Sequence, residues 1–196
     1  EALRTQVRSG EARTQKSLEI TTEDDLTLRG AKLRSEEDKV KAKVGGDFNA
    51  VSQVTTLGGG DTYQQSATPT VVEAPKDSVE IEVDEHVNVT GIKVKAEKKI
   101  DISGKSYTDK ATRLDSHSVE QHGKKKTTTH MVSHDVSEYI TTGPGSTIDL
   151  TSRSAPFYAE AHKVLTGDGG KAKLSGHGVS VVDVHDETRI ESIEKQ

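Results

Sequence analysis

Apolar and polar residues alternate in short runs along the chain, and each of the clearest runs is followed by a glycine. One run is Leu26-Thr27-Leu28-Arg29-Gly30, and another is Val87-Asn88-Val89-Thr90-Gly91. Alternation puts the two apolar residues of a run on one face of a strand and the residue between them on the other. Glycine then permits a corner with positive φ or a close approach of two backbones. The pattern predicts short strands that are joined by glycine corners.

Two segments of the chain repeat without gaps at an offset of 61 residues. Ser17-Leu18-Glu19-Ile20 matches Ser78-Val79-Glu80-Ile81, and the eight residues from Leu26 match the eight from Val87. The same pattern recurs at Ile100, Ile102, Gly104 and Tyr107, and more loosely at Ala172, Leu174, Gly176 and Val179. Repeated units that cannot bury their own apolar face are typical of solenoids, in which each unit stacks on its neighbours.

We therefore predict an all-β solenoid with a thin aliphatic interior. The alternative is a β-sandwich of seven or more strands, which would show more aromatic core residues and no repeated glycine corner. In the solenoid, the corners are expected at Gly30, Gly91 and Gly104. The interior stack is expected to contain Leu26, Leu28, Val87, Val89, Ile100 and Ile102.

Composition supports this interpretation and excludes several classes of protein. Aromatic residues make up 3% of the chain and hydrophobic residues 30%, which argues against a helical bundle and against a large-cored enzyme. The absence of cysteine excludes disulfide scaffolds, CxxC-type zinc sites and thiol catalysis. A net charge of −5 argues against general binding of nucleic acid. The sequence has neither a membrane-span-length apolar run nor a signal-peptide core, and we expect an internal piece of a longer chain.

The pattern divides the chain into three ranges. Residues 15–110 carry the repeats, 105–146 form an insertion rich in Thr, Ser and His, and 147–196 are further, less regular coils. Alternate positions from Thr128 to Ile140 predict one strand of a protruding hairpin, with a partner from Tyr107 to His122 and a turn near Gly123. A second loop excursion begins around Leu57–Asp61 and extends to Pro69–Pro75, where the prolines predict a linker or an edge.

Candidate metal and ligand sites in the sequence are weak. His130 and His134 fall on one strand face but about 13 Å apart, which is too wide for one metal ion. The loops Gly58–Asp61 and Gly167–Gly170 lack the repeated unit of calcium-binding turns. The block Gly123-Lys124-Lys125-Lys126 fits a solvated hairpin tip better than a contact with an anionic surface. No metal-binding or cofactor-binding residue is therefore predicted.

Candidate catalytic groups are equally sparse. Asp183-Val184-His185-Asp186 brings two acids and a histidine together near the end of the chain, without a visible partner group. The sequence contains neither a Gly-x-Ser-x-Gly elbow nor an acid pair in an obvious cleft. We predict no catalytic residue and no enzymatic activity.

The repeat resembles that of filamentous haemagglutinin-like exoproteins, the long stalks of Gram-negative two-partner secretion. The family pattern is followed closely from Ile20 to Leu33, then by Val40-Lys41-Ala42 and Gly45-Gly46-Asp47-Phe48-Asn49-Ala50. A second unit runs from Val94 to Gly104, but Glu97-Lys98-Lys99 stands where Gly-x-Asp is usual. The resemblance is good over residues 15 to 110 and poor over 145 to 185.

The resemblance implies a right-handed parallel β-helix in a secreted or cell-surface protein. The family includes adhesins and contact-dependent growth inhibition effectors, so the segment would be a shaft that mediates adhesion or presents a distal toxin. The implied partners are a host or neighbouring bacterial cell surface and an outer-membrane transporter during secretion. The alternatives are a carbohydrate-active β-helix enzyme and a trimeric phage-tail or secretion-spike component.

Overall fold

In the computed structural model the chain winds into three parallel β-sheets around a shared interior. The structure describes residues 5–8, 10–60, 62–122, 126–136, 139–160, 163–182 and 189–195. One turn of the winding, here called a coil, contributes one strand to each sheet. Sheet I has seven strands, and sheets II and III have six each. This arrangement is the right-handed parallel β-helix that the resemblance implied.

The first three coils are built from eleven strands, two of which form a hairpin. Coil 1 contains β1 (Thr5–Arg8), β2 (Glu11–Thr14) and β3 (Leu18–Thr22), and coil 2 contains β4 (Leu26–Arg29), β5 (Lys32–Ser35) and β6 (Val40–Val44). Coil 3 begins with β7 (Phe48–Val51), then extends the hairpin β8 (Gln53–Gly59) and β9 (Thr62–Thr68), and closes with β10 (Val71–Ala74) and β11 (Ser78–Val83).

The remaining coils follow the same plan. Coil 4 contains β12 (His86–Thr90), β13 (Lys93–Ala96) and β14 (Lys99–Gly104). Coil 5 contains β15 (Ser106–Lys110), the hairpin β16 (Thr112–His122) and β17 (Lys126–Val136), then β18 (Tyr139–Thr141) and β19 (Thr147–Ser152). Coil 6 contains β20 (Phe157–Glu160), β21 (Lys163–Leu165) and β22 (Lys171–Ser175), and coil 7 begins with β23 (Val179–Val182). The last strand described is β24 (Arg189–Lys195).

In coils 2 to 5, alternate side chains point inward and stack in columns. Equivalent residues of neighbouring coils pair in register, so that Leu26 lies over Phe48, and Phe48 over Val87. Burial of each aliphatic side chain contributes about 1.5–3 kcal/mol. Because the six expected interior residues are at most 1% exposed, that prediction is confirmed. They are Leu26, Leu28, Val87, Val89, Ile100 and Ile102.

The coil is shorter than the sequence repeat. Leu26 and its partner Phe48 are 22 residues apart, and Val87 and Tyr107 are 20 apart, whereas the hairpin separates Phe48 from Val87 by 39 residues. The 61-residue offset therefore spans two coils, one of which carries a hairpin. The described residues form six complete coils and the first strand of a seventh, a rod of about 29 Å. At roughly 20 or more residues per coil, 196 residues allow at most about ten coils, or some 45 Å; the described coils are fewer because the hairpins use residues that would otherwise form coils.

The predicted protruding hairpin is present, with different limits. Strands β16 and β17 pair antiparallel from Thr112↔Val136 to His122↔Lys126, while the predicted turn at Gly123 lies outside the described residues. Tyr107 and Ile140, which the sequence placed in the hairpin strands, belong to the β-helix, where both are fully buried. The division into ranges 15–110, 105–146 and 147–196 stays a prediction.

The segment from Pro69 to Pro75 is not the linker or edge that its prolines predicted. Strand β10 lies inside sheet II, between β5 and β13, and pairs with both. The two prolines flank its four residues, so no backbone donor of the ladder is lost. Val72 and Ala74 point into the core.

Candidate functional site

The corner between sheets I and II is turned by a glycine in coils 2 and 4. Gly30 and Gly91 turn this corner with φ of +55° and +60°, a conformation that favours glycine. A β-carbon on Gly91 would overlap the hydroxyl oxygens of Ser52 and Thr112, which lie at the bases of the two hairpins. The predicted corners at Gly30 and Gly91 are therefore confirmed. Because Gly91 has no side chain, Ser52 of coil 3 and Thr112 of coil 5, at the bases of the two hairpins, can both lie close to coil 4.

Gly104 acts as the predicted corner glycine in a different way. It lies at the end of β14, in the turn that leads to sheet I. A β-carbon there would overlap the Val87 side chain and crowd the carbonyl oxygens of Glu85 and Ser106. Its contribution is close packing of backbone, which the glycine pattern also allowed.

Hydroxyl side chains satisfy the backbone where the first hairpin leaves the β-helix. The Ser52 hydroxyl donates to the Gly91 carbonyl at 2.7 Å, and the Thr70 hydroxyl donates to the Val51 carbonyl at 2.7 Å. Ser52 and Thr70 are both buried, so these bonds satisfy hydroxyl groups that would otherwise lose their hydrogen bonds to water. Sequence analysis missed both residues, although the signal was present: coil 3 has Ser52 at the position where coils 2 and 4 have glycine.

The two hairpins leave the same corner in alternate coils and form a second structure beside the β-helix. Strand β9 of coil 3 pairs antiparallel with β16 of coil 5 at Gln64↔Ser116 and Tyr63↔His117. Strand β24 pairs antiparallel with β17. The result is a five-stranded antiparallel sheet in the order β24-β17-β16-β9-β8, here called the side sheet.

The spacing of coils explains why the hairpins can pair. Neighbouring strands are about 4.8 Å apart in a parallel coil stack and in an antiparallel sheet alike. A hairpin is two strands wide, and the hairpins are two coils apart, so the strands of successive hairpins arrive at pairing distance. Coil 4 turns the corner with Gly91 alone, which leaves room for this contact.

The outer face of sheet II carries a cluster of ion pairs. Arg34 contacts both Glu36 and Glu73, with 2.8 Å between Arg34 Nε and Glu36 Oε1, and Lys32 Nζ lies 3.3 Å from Glu73. Burial opposes the ionisation of Glu73, but the hydrogen bonds from Arg34 and Lys32 hold its pKa below the usual value. The hydrogen bond from Arg34 also lowers the pKa of Glu36. This cluster ties coils 2 and 3 together on the outside.

The outer face of sheet III carries a column of acidic residues. Glu80, Asp101 and Asp149 lie directly over one another in coils 3, 4 and 5. Partial burial raises the pKa of Asp101, Lys99 opposes that effect, and the neighbouring Asp149 adds to it. Lys99 Nζ lies 3.4 Å from Glu80 and partly compensates the column.

One interior position is occupied by a carboxylic acid. Asp109 lies in sheet I at the place that Val89 occupies in coil 4 and Ala159 in coil 6, and it is 1% exposed. Burial raises its pKa to about 8, and the charge of Glu160 adds to the effect. Next to it, Tyr107 is fully buried and stacks on Phe157 with 4.6 Å between ring centroids. The repeat pattern included Tyr107 as an apolar position, but nothing in the sequence indicated the buried acid.

The structure gives little support to the weak sites considered from sequence. The register sets neither His130 nor His134 of β17 opposite a histidine of β16: their partners are Ser118 and Leu114. Among the described residues, no group of three or more potential ligands could hold a metal ion. Lys124, Lys125 and the Asp183–Asp186 segment lie outside the described residues.

The two glycine loops are turns of different kinds. Gly58 and Gly60 lie at the end of the first hairpin, both with positive φ. Gly167–Gly170 connects sheets II and III in coil 6 and is bonded to the turn of coil 5, since Gly145 N–H donates to the Asp168 carbonyl at 2.8 Å. No helix in the described ranges is long and apolar enough to span a membrane.

Comparison with known proteins bears on the first coils of this β-helix. Residues 4–68, which cover coils 1 and 2 and continue through the first hairpin, match the family described as hemagglutinin repeat. Over this third of its length the chain is similar to filamentous haemagglutinin-like proteins. No curated protein and no solved structure matches it significantly. Hemagglutinin repeat proteins are structural, adhesin-like proteins that are generally secreted or surface-exposed.

Proposed function

We propose that this hemagglutinin-repeat chain is a shaft segment of a secreted or cell-surface bacterial exoprotein that mediates adhesion or presents a distal effector. The observation that carries the proposal is the continuous stack of coils, with coils 1 to 6 paired in register to their neighbours on three sheets. Such a stack supplies length and stiffness without a chemical step. Each coil closes within one chain, which favours the shaft over a trimeric spike of intertwined chains.

The partners of the proposed shaft are a host or neighbouring bacterial cell surface and, during export, an outer-membrane transporter. The three outer faces offer such a surface different chemistry. Sheet III carries the acidic column, sheet II the ion-pair cluster with Lys93 and Lys95 beside it, and sheet I the Asn49–Asn88 amide pair, 3.1 Å apart. A chain without cysteine also fits passage of a transporter in an extended form, because no disulfide can close beforehand.

Adhesion can be tested with beads that carry the protein. Coated beads are mixed with epithelial cells and with Gram-negative bacteria, and soluble protein is added as competitor. Saturable attachment to either cell type that soluble protein prevents would support an adhesive shaft. Attachment no greater than that of uncoated beads to both cell types would overturn adhesion by this segment.

Export can be tested with one engineered disulfide. Asn49 and Asn88 lie opposite each other on neighbouring strands of sheet I, so paired cysteines there can form a disulfide between coils 3 and 4. In an exporting strain, the double variant Asn49→Cys/Asn88→Cys should be retained and should be released by reductant, while Asn49→Cys alone should be exported. Export of the oxidised double variant at the wild-type level would contradict passage in an extended form.

A further inference from the structure

The two edges of the side sheet differ in chemistry. Strand β24 ends the sheet on the side of coil 7, and its seven residues include four charged ones, Arg189, Glu191, Glu194 and Lys195. Strand β8 ends the sheet on the side of coil 3, and its sequence, QVTTLGG, contains neither a charge nor a proline. Proteins usually protect exposed edge strands with charges, prolines or bulges, because an unprotected edge pairs with other strands. In the described part of the side sheet, β8 lacks the charges that protect β24.

The composition of the first hairpin is unusual for this chain. Asp61 is the only charged residue between Gln53 and Thr68, although 30% of the whole chain is charged. Leu57 on the edge strand is 64% exposed, and Thr55 and Thr56 beside it are exposed as well. The edge strand is therefore uncharged and carries one exposed leucine, on a protein whose composition is otherwise highly charged.

We infer that the β8 edge is a self-association surface, at which a second copy of this chain adds its own β8 in antiparallel orientation. A strand that pairs with itself about a two-fold axis brings each side chain against its symmetry partner, so any charge near the axis would meet a like charge. The absence of charge in β8 removes that repulsion. With the axis at the middle residue, Thr56 faces Thr56 of the second copy, and Thr55 faces Leu57.

The antiparallel orientation also satisfies the geometry of the two β-helices. The β-helix lies at the Gln53 end of β8, and the other copy places its own β-helix at the opposite end, about 23 Å away along a seven-residue strand. A parallel strand would instead place the second β-helix on the same side, where coils 1 and 2 already stand.

The inner end of the edge fits this pairing. The Gly30 corner of coil 2 lies against the Gln53 side chain and approaches the base of β8 closely. Two-fold pairing about Thr56 brings Gly59 of the second copy to this crowded end, opposite Gln53. Because Gly59 has no side chain, the second strand can approach this crowded end of β8.

Single-cysteine variants test both the contact and its register, since the natural chain has no cysteine. Directly opposed residues of antiparallel strands have α-carbons about 4.5–5.5 Å apart, which is within the range of a disulfide. With oxidised glutathione as electron acceptor, Thr56→Cys should form a covalent dimer roughly tenfold faster than the control Ser66→Cys, which is also exposed but lies on the inner strand β9. Thr55→Cys should crosslink faster with Leu57→Cys than with itself.

A charge exchange provides a readout that does not depend on thiols. Sedimentation velocity over a concentration series should show reversible dimers for the natural chain and monomers for Thr56→Lys and Thr56→Glu separately. Mixing these two variants should restore dimers, because lysine then faces glutamate across the axis. Unchanged circular dichroism would show that the variants remain folded.

The results that would overturn the inference are distinct from failure of the adhesive role. A natural chain that stays monomeric, together with equal crosslinking of Thr56→Cys and Ser66→Cys, would exclude self-pairing at β8. If Thr56→Lys abolished bead attachment to cells while the natural chain stayed monomeric, the edge would bind a foreign strand instead of a second copy. Bead attachment unaffected by loss of the dimer would leave the adhesive shaft intact and separate from this contact.

Discussion

The buried acid Asp109 should make the β-helix less stable as pH rises through the physiological range. Its carboxyl group has a pKa of about 8 in the folded chain, against 3.8 as its ordinary value. Between these two values the folded state binds a proton that the unfolded state has released. Stability from this group is therefore fully present below about pH 4 and is lost progressively as pH rises to 8.

The size of this loss of stability follows from the pKa shift of Asp109. Each unit of pKa difference corresponds to about 1.4 kcal/mol, so a shift of about four units sets an upper limit of about 6 kcal/mol. Relaxation of the coil and entry of water would reduce this figure. Even half of it is a large part of the 5–15 kcal/mol that stabilises a typical domain.

The perturbation that isolates this effect is Asp109→Asn, which keeps the shape of the side chain and stays neutral. Urea unfolding followed by far-ultraviolet circular dichroism should give similar midpoints for wild type and variant at pH 4. At pH 8.5 the variant should be more stable, by up to about 6 kcal/mol. Asp149→Asn on the outer face of sheet III serves as the control for removing one negative charge. A difference between Asp109→Asn and wild type that is the same at both pH values would refute the reasoning.

Three further changes test other parts of the structure. Val89→Asp should lower the free energy of unfolding by several kcal/mol, and the melting temperature with it, because it buries a charge directly beside Asp109. A variant that melts at the wild-type temperature would contradict the interior stack. Gly91→Ala should lower the free energy of unfolding by about 1–3 kcal/mol, because alanine is strained at the positive φ of this position. It should also weaken the hydrogen-exchange protection of the amides where β9 meets β16. Unchanged protection there would show that the Gly91 corner does not determine how the side sheet forms. Arg34→Ala should lower the free energy of unfolding, measured with denaturant, by no more than about 1 kcal/mol, and the difference from wild type should shrink at high salt. A loss of stability that does not depend on salt would show that Arg34 acts through packing instead of charge.

The alternating runs before the glycines predicted the β-helix well, because each coil must bury the same positions. Leu26 and Val87 are recognisable for that reason, and the hairpin strands are recognisable by their polar alternation. The side sheet could not be predicted, since β9 and β16 meet through only two residue pairs more than fifty positions apart. That contact depends on the distance between coils and on the number of coils that separate the hairpins. A local sequence pattern indicates neither quantity. Asp109 was missed because one polar residue in an apolar column looks like an outward-facing one.

The two hairpins pair across coil 4, which carries no hairpin, and this spacing determines the number of coils by which a shaft of this kind can change length. Removing one coil would bring two hairpins one strand width apart, too close for both to fit, and adding one would separate them beyond hydrogen-bonding reach. Removing or adding two coils together with one hairpin keeps the remaining hairpins in phase. The 61-residue offset in the sequence corresponds to such a block, so a lineage of these shafts would grow and shrink by pairs of coils.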